Sequence, residues 1–142
     1  MAHPSQQVVK GASELRLVLG QLVRRLRAEY AFPVAQASVL SRLDRDGAQT
    51  ASDLAAAERV RPQSMAQTLS ELEAAGLIAR RPDPDDRRRV QIELTDQGRE
   101  RVLEGRGRRE DWLAAAIAAE LSPEEQRTLL AAVPLLRRLS GH

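Results

Sequence analysis

Leu15, Leu19, Leu22 and Leu26 stand four, three and four residues apart. That spacing puts them on one stripe of a helix from about Gln6 to Tyr30. Val8, Leu17, Val18 and Val23 widen the stripe beyond what one core requires, so burial on two sides is expected. Phe32-Pro33 ends the segment, because proline disfavours helix in the residue before it. A second helix, about Pro33 to Arg45, carries Val39, Leu40 and Leu43 on its apolar face, with Pro33 in the tolerated first turn. Asp46-Gly47 stops it. Thr50-Ala51-Ser52-Asp53 reads as a capping box opening a short helix, about Ala51 to Glu58, with Leu54 and Ala55 inward. After the turn Arg59-Val60-Arg61, Pro62 starts a helix to about Ala75. Met65, Leu69 and Leu72 are its single buried stripe; Gln63, Ser64, Gln67, Thr68 and Glu71 lie on the other side. Gly76 is its C-terminal stop.

The period then changes. Leu77 to Arg81 reads as a strand, Pro82 to Arg89 as a polar turn, and Val90, Ile92 and Leu94 alternate with Gln91 and Glu93 as a half-buried strand. Thr95-Asp96 begins a long helix to about Glu120. Gly105 and Gly107 weaken its middle by about 1 kcal/mol each relative to alanine and point to a bend. Ser122-Pro123-Glu124-Glu125 starts a last helix carrying Leu129, Leu130, Val133, Leu136 and Leu139, with a kink expected at Pro134. No internal repeat or low-complexity segment interrupts this order.

Two short helices joined by a tight turn and followed by a hairpin make a winged helix-turn-helix. The fold class is thus mostly α, with six helices and a small β-hairpin wing. Residues 33–95 form the lobe, with the recognition helix at 62–75 and the wing at 77–94. The flanking helices, 6–30 and 96–140, carry apolar stripes too remote from the wing lobe to complete its core. They read as a dimerisation region within one domain spanning 1–142. Ala114, Ala115, Ala116, Ala118 and Ala119 allow close helix approach; the alternative is a monomer whose terminal helices pack on each other.

Composition narrows the function. A chain of 142 residues, 42% hydrophobic and 30% charged, fits one globular domain. Cysteine is absent, which excludes disulfides, thiolate zinc sites, cysteine nucleophiles and thiol redox sensing. The two histidines, His3 and His142, sit near the ends, where a metal site or a catalytic triad would rest on frayed termini. No catalytic, metal or cofactor residues are assigned. The net charge is +2 and the pI about 9.9. Lys10 is the sole lysine, so the cations are arginines, suited to phosphates and base edges; a GC-rich genome has the same effect, and the arginines' positions must decide. No stretch is apolar enough to span a bilayer, and Met1 to Gly11 lacks a leader's pattern. The expectation is a cytoplasmic protein without a membrane partner.

A recognition helix must bury one face and present short polar groups on the other, and the Pro62–Ala75 helix has that pattern. Around the wing, Arg80, Arg81, Arg87, Arg88 and Arg89 cluster against Asp83, Asp85 and Asp86. A narrow minor groove attracts inserted arginine. Asp86, two residues before Arg88, is placed to orient its guanidinium by a bidentate pair. Glu71 is expected to avoid the groove or pair with an arginine. The DNA-binding set is Arg61, Gln63, Ser64, Gln67, Thr68, Arg80, Arg87, Arg88 and Arg89, with Asp86 supporting the wing. A winged-helix module that binds protein is the rival reading; the arginine tip argues against it. A hydrolase would have only the adjacent Asp85 and Asp86, and a charged wing tip is the wrong place for acid–base chemistry.

The stretch Asp83-Pro84-Asp85-Asp86-Arg87-Arg88-Arg89, then Leu94-Thr95-Asp96-Gln97-Gly98, preceded by Leu72-Glu73-Ala74-Ala75-Gly76-Leu77-Ile78, resembles the MarR family of bacterial transcription regulators. The resemblance runs from about Val8 to Leu139. It implies a homodimer with interleaved first, fifth and sixth helices, acting on double-stranded DNA as a repressor at a pseudo-palindromic operator. The Pro62–Ala75 helix would enter a major groove and Arg88 the minor groove, with Asp86 as its support. It also implies a small anionic or phenolic effector in a cleft between dimer arms and lobe, although no residue set in the sequence marks that cleft.

Overall fold

The computed structural model describes residues 2–141. Met1, the start of the segment tested for a leader, and His142, the second terminal histidine, lie outside the described residues. The element order is α1 (Gln6–Arg27), α2 (Val34–Asp46), α3 (Ala51–Glu58), α4 (Pro62–Ala74), β1 (Ile78–Pro82), β2 (Val90–Leu94), α5 (Asp96–Glu120) and α6 (Pro123–Ser140). No helix of the described residues is long and apolar enough to cross a membrane.

Local chemistry accounts for most of the boundaries. The α1 helix stops three residues before Tyr30 because the N–H groups of Ala28, Glu29 and Tyr30 turn to the carbonyls of Arg25, Leu26 and Arg27, tightening the chain into a final i→i−3 turn. Pro33 is the residue before α2, not its first turn: its backbone is extended (ψ 145°), while its carbonyl accepts from Ala37 N at 3.0 Å. Both capping boxes form, Thr50 with Asp53 and Ser122 with Glu125. Gly76 takes a φ of 75°, which lets Leu77 N reach back to Leu72 O at 3.0 Å and closes α4.

One core serves the winged lobe. Val39, Leu40 and Leu43 of α2 meet Leu54 and Ala55 of α3, Met65, Leu69 and Leu72 of α4, and Leu77, Ile78 and Ile92 of the wing. Val102 of α5 joins the same cluster, and Phe32 packs on it. The wing is antiparallel, with Ile78 opposite Leu94 and Pro82 opposite Val90. Gln49 adds an isolated bridge to the wing: it exchanges both backbone hydrogen bonds with Ile92, at 2.7 and 3.1 Å. Val90 departs from the expected inward alternation and is 45% exposed, because the hairpin has by then run past the edge of the lobe.

Both C-terminal helices are continuous. The α5 helix runs unbroken through Gly105 and Gly107. Gly105 is buried, and a β-carbon there would meet only the end of the Arg109 side chain, with Nη1 at 3.3 Å. The α6 helix also continues through Pro134. Burial of α1 on two sides is not found within one chain: neither α1 nor α6 contributes a buried residue. Leu17 and Val18 on α1 are 53% and 57% exposed, and Leu130 on α6 is 61% exposed.

Candidate nucleic-acid interface

The α4 helix is held by its apolar stripe, with Leu69 and Leu72 fully buried and Met65 nearly so. Helical spacing puts Gln63, Gln67 and Ser70 opposite that stripe, and all three are exposed. Ser70 belongs to this outward face and was missed by the sequence reading. Ser64 and Thr68 stand on the flank toward α2, where they line a shallow groove with Ala35, Val39 and Val60; Thr68 is half-buried. Arg61 is the residue before α4 and does not cap it with its side chain. Pro62 has no N–H, so the N–H groups of Gln63 and Ser64 are left as the helix's leading donors.

Glu71 pairs with no arginine. Its Oε2 accepts from Gln36 Nε2 at 2.7 Å and its Oε1 from Gln67 Nε2 at 3.4 Å. The reason is positional: Glu71 lies on the α2 side of α4, where Gln36 in the first turn of α2 is the available donor.

The turn between α3 and α4 holds Arg59 in the left-handed region (φ 56°), the one non-glycine residue with positive φ among the described residues. Its N–H closes on the carbonyls of Ala55 and Ala56. Beneath the turn, Glu58 accepts from Ser38 Oγ at 2.7 Å and from Arg42 Nε at 2.7 Å. Burial alone would raise the Glu58 carboxyl. The hydrogen bonds from Arg42 and Ser38, with the charges of Arg42 and Arg45, outweigh it and hold the group below its ordinary value. This ion pair ties the end of α3 to α2.

The wing arginines separate into two groups. Arg80 Nε lies 3.2 Å from Glu73 Oε2 on α4, Arg81 pairs with Glu93 at 2.9 Å, and Arg89 lies 3.8 Å from Asp53. Arg80 therefore braces the hairpin root against α4 and is not at the tip. Arg87 and Arg88 form no ion pair among the described residues. The bidentate pair expected between Asp86 and Arg88 is not formed; Asp86 Oδ1 accepts instead from the backbone N–H of Arg88 at 3.0 Å. A short aspartate two residues upstream in a tight turn meets the main chain before it can reach a guanidinium. Asp83, expected only as one of the acids beside the wing arginines, organises the tip. Its Oδ1 accepts from the N–H groups of Asp85 and Asp86, at 2.8 and 3.3 Å, and its Oδ2 from Gln91 Nε2 at 2.7 Å. The hydrogen bond from Asp85 N–H leads the causes that lower the Asp83 carboxyl, followed by that from Gln91.

A second site lies where the α1–α2 connection meets α5. Tyr30 and Phe32 face Arg101, Arg108 and Arg109 across a cavity of about 20 Å³ floored by Leu40 and Val102. The Arg109 guanidinium stands 4.4 Å from the Tyr30 ring centre and that of Arg101 5.7 Å from Phe32. Arg25 covers Trp112 at 4.5 Å in the same manner. The chain has one residue each of phenylalanine, tyrosine and tryptophan, so each of its aromatic rings is paired with an arginine. The residues come from α1, α2 and α5, and no local spacing in the sequence shows that they meet.

Comparison with known proteins agrees with this architecture. The sequence profile of the MarR family matches residues 32–90. An HTH-type transcriptional regulator of Mycobacterium tuberculosis is 37% identical over 131 residues, 90% of this chain and 91% of that protein. A crystal structure of a transcriptional regulator protein from Pseudomonas aeruginosa PA01 superposes with a TM-score of 0.85 at 43% identity, covering 98% of this chain and 99% of that one. A mutant of Staphylococcus aureus MepR, bound to an oligodeoxyribonucleotide, shares the fold with a TM-score of 0.68 at 24% identity over 92% of this chain and 96% of its own. The capped helix-turn-helix, the aspartate-built wing and the extent of these likenesses together place the chain in the MarR family of HTH-type transcriptional regulators.

Proposed function

We propose that the chain is a dimeric repressor that binds a pseudo-palindromic DNA operator in the cytoplasm and is released by a small anionic or phenolic ligand. The observation that carries the DNA reading is the pairing of two surfaces. The outward face of α4 presents Gln63, Gln67 and Ser70, short groups suited to base edges in a major groove. The hairpin beside it ends in Arg87 and Arg88, which have no internal carboxylate partner and suit the minor groove. Arg61 and the leading N–H groups of α4 supply backbone contacts that set register without reading sequence. The DNA-bound MepR mutant shows the same fold engaged with a nucleic acid.

The exposed apolar residues of α1 and α6 support pairing of two chains. In one chain α6 contributes no buried residue, which favours a partner chain over terminal helices that cover each other. A dimer sets two α4 helices about one helical turn apart, roughly 34–36 Å. Repression follows by occupying DNA that polymerase needs.

The aromatic and arginine-lined cavity supports the ligand reading. It holds about one water molecule as it stands. An aromatic acid would have to part α5 from α2 to enter, and α2 carries the helix-turn-helix. Binding would thus reorient the lobe against the dimer arms.

Selection of binding sites from random duplex DNA, repeated with a panel of aromatic acids, tests the whole reading. A dyad-symmetric site, a steep loss of affinity with salt and release by at least one acid are expected. An isolated half-site would overturn the dimer. Absence of duplex binding at low salt would favour a winged-helix module that binds protein.

A further inference from the structure

We propose that Glu71 holds the Gln67 amide in one orientation and thereby makes Gln67 select adenine over guanine at one position of each half-site. The inference rests on the DNA-binding reading and deepens it. Gln67 is exposed on the outward face of α4, and its Nε2 faces Glu71 Oε1 at 3.4 Å. The carboxylate is itself anchored from another element, because Gln36 of α2 donates to Oε2 at 2.7 Å. An ionised carboxylate only accepts. Turning the Gln67 amide over would set its oxygen against the oxygen of Glu71, so the nitrogen must face inward along the helix.

An amide nitrogen carries two hydrogens. With one engaged by Glu71, the group still offers the groove an acceptor, Oε1, and a second N–H donor. Adenine presents the complement in the major groove, a donor at N6 and an acceptor at N7, whereas guanine presents acceptors at both O6 and N7. A glutamine free to flip could adapt to either. One pinned with its oxygen outward meets guanine O6 with like polarity. The anchoring of Glu71 by Gln36 is what distinguishes this glutamine from a mobile surface amide. Glu71 is a positioning residue that touches no base, and its own charge weakens phosphate contact equally on all sequences.

The test uses the full chain and the operator obtained by site selection, altered symmetrically in both half-sites to each of the four base pairs at each position. Wild-type protein should discriminate adenine from guanine by about tenfold or more at one position, and Gln67→Ala should abolish the preference there alone. Glu71→Gln, whose amide can donate or accept, should collapse that ratio to within about twofold while raising affinity for all sequences together through the lost negative charge. Gln36→Ala, which keeps the charge of Glu71 but frees it, should reduce the ratio without the uniform gain. Thermal melts establish that the variants fold. A ratio unchanged in Glu71→Gln, or a guanine preference at the position governed by Gln67, overturns the inference while leaving operator binding intact. Loss of all duplex binding by the wild type overturns the DNA reading, and this inference with it.

Discussion

Gly98, in the first turn of α5, lies directly against the carbonyl oxygen of Leu77, and a β-carbon at this position would overlap that oxygen. The same carbonyl accepts from Thr95 N at 3.1 Å, while Thr95 Oγ1 donates to Gly76 O at 2.6 Å and caps Gly98 N at 3.0 Å. The start of α5 is thus locked onto the turn between α4 and β1. Gly98→Ala should lower stability by about 1–3 kcal/mol, read as a drop in thermal midpoint. Gly107→Ala on the same helix, where a β-carbon meets open space, should be neutral or stabilising.

At the wing, removing Arg88 should cost about 1–3 kcal/mol of operator affinity with little change in stability. Removing Arg80, which is engaged by Glu73, should have the smaller effect on affinity. Fluorescence anisotropy titrations of the two alanine variants at matched salt give the comparison, and equal losses would contradict the division of the wing into brace and tip.

The Glu58 carboxyl lies below its ordinary value of 4.5 when folded. A depressed acid contributes stability above its unfolded pKa, and that contribution is lost as pH falls through the folded value. Acidification below about pH 4.5 should therefore destabilise the wild type more than Glu58→Gln. At neutral pH Glu58→Gln should be the weaker fold by about 1–2 kcal/mol, since its loss leaves the Arg42 guanidinium short of a charged acceptor. Urea melts across pH 3–7 report both signs.

Arg59 occupies a backbone conformation that disfavours side chains with a β-carbon. Arg59→Gly should raise stability by roughly 1 kcal/mol. If the arginine is retained there for phosphate contact, operator affinity should fall and its salt dependence should become shallower. A stabilised variant with unchanged affinity would give the turn a structural role only.

The apolar faces of α1 and α6 should tolerate no charge. If the proposed dimer forms through these faces, Leu22→Asp or Leu130→Asp should convert it to monomer, measured by light scattering, while the circular dichroism of the winged lobe persists.

Most of the lobe was legible because its signals are local. The Thr50 cap, the Pro62 start and the spacing of Met65, Leu69 and Leu72 act within one or two turns of chain, and the winged helix-turn-helix follows from their order. The site was legible as a set of outward side chains but not as a set of partners. Asp83 was legible only as one of three wing acids because its role depends on a turn that brings Asp85, Asp86 and Gln91 around one carboxylate. The Arg80–Glu73 pair was not legible because Glu73 lies across a helix-to-strand junction that spacing cannot measure. The bridge from Gln49 to Ile92 and the cavity between Tyr30, Phe32 and Arg101 are tertiary, with no periodicity to announce them.

The apolar residues that α1 and α6 leave in water are held apart from the core that builds the reading head. That head is therefore complete in a single chain, whereas the two half-sites of the proposed operator need the proposed dimer. Below the dissociation constant of the pair, occupancy of a two-fold site rises with the square of the free chain concentration, by mass action. A threefold change in synthesis then becomes about a ninefold change in binding, and the response gains steepness without any additional regulatory element.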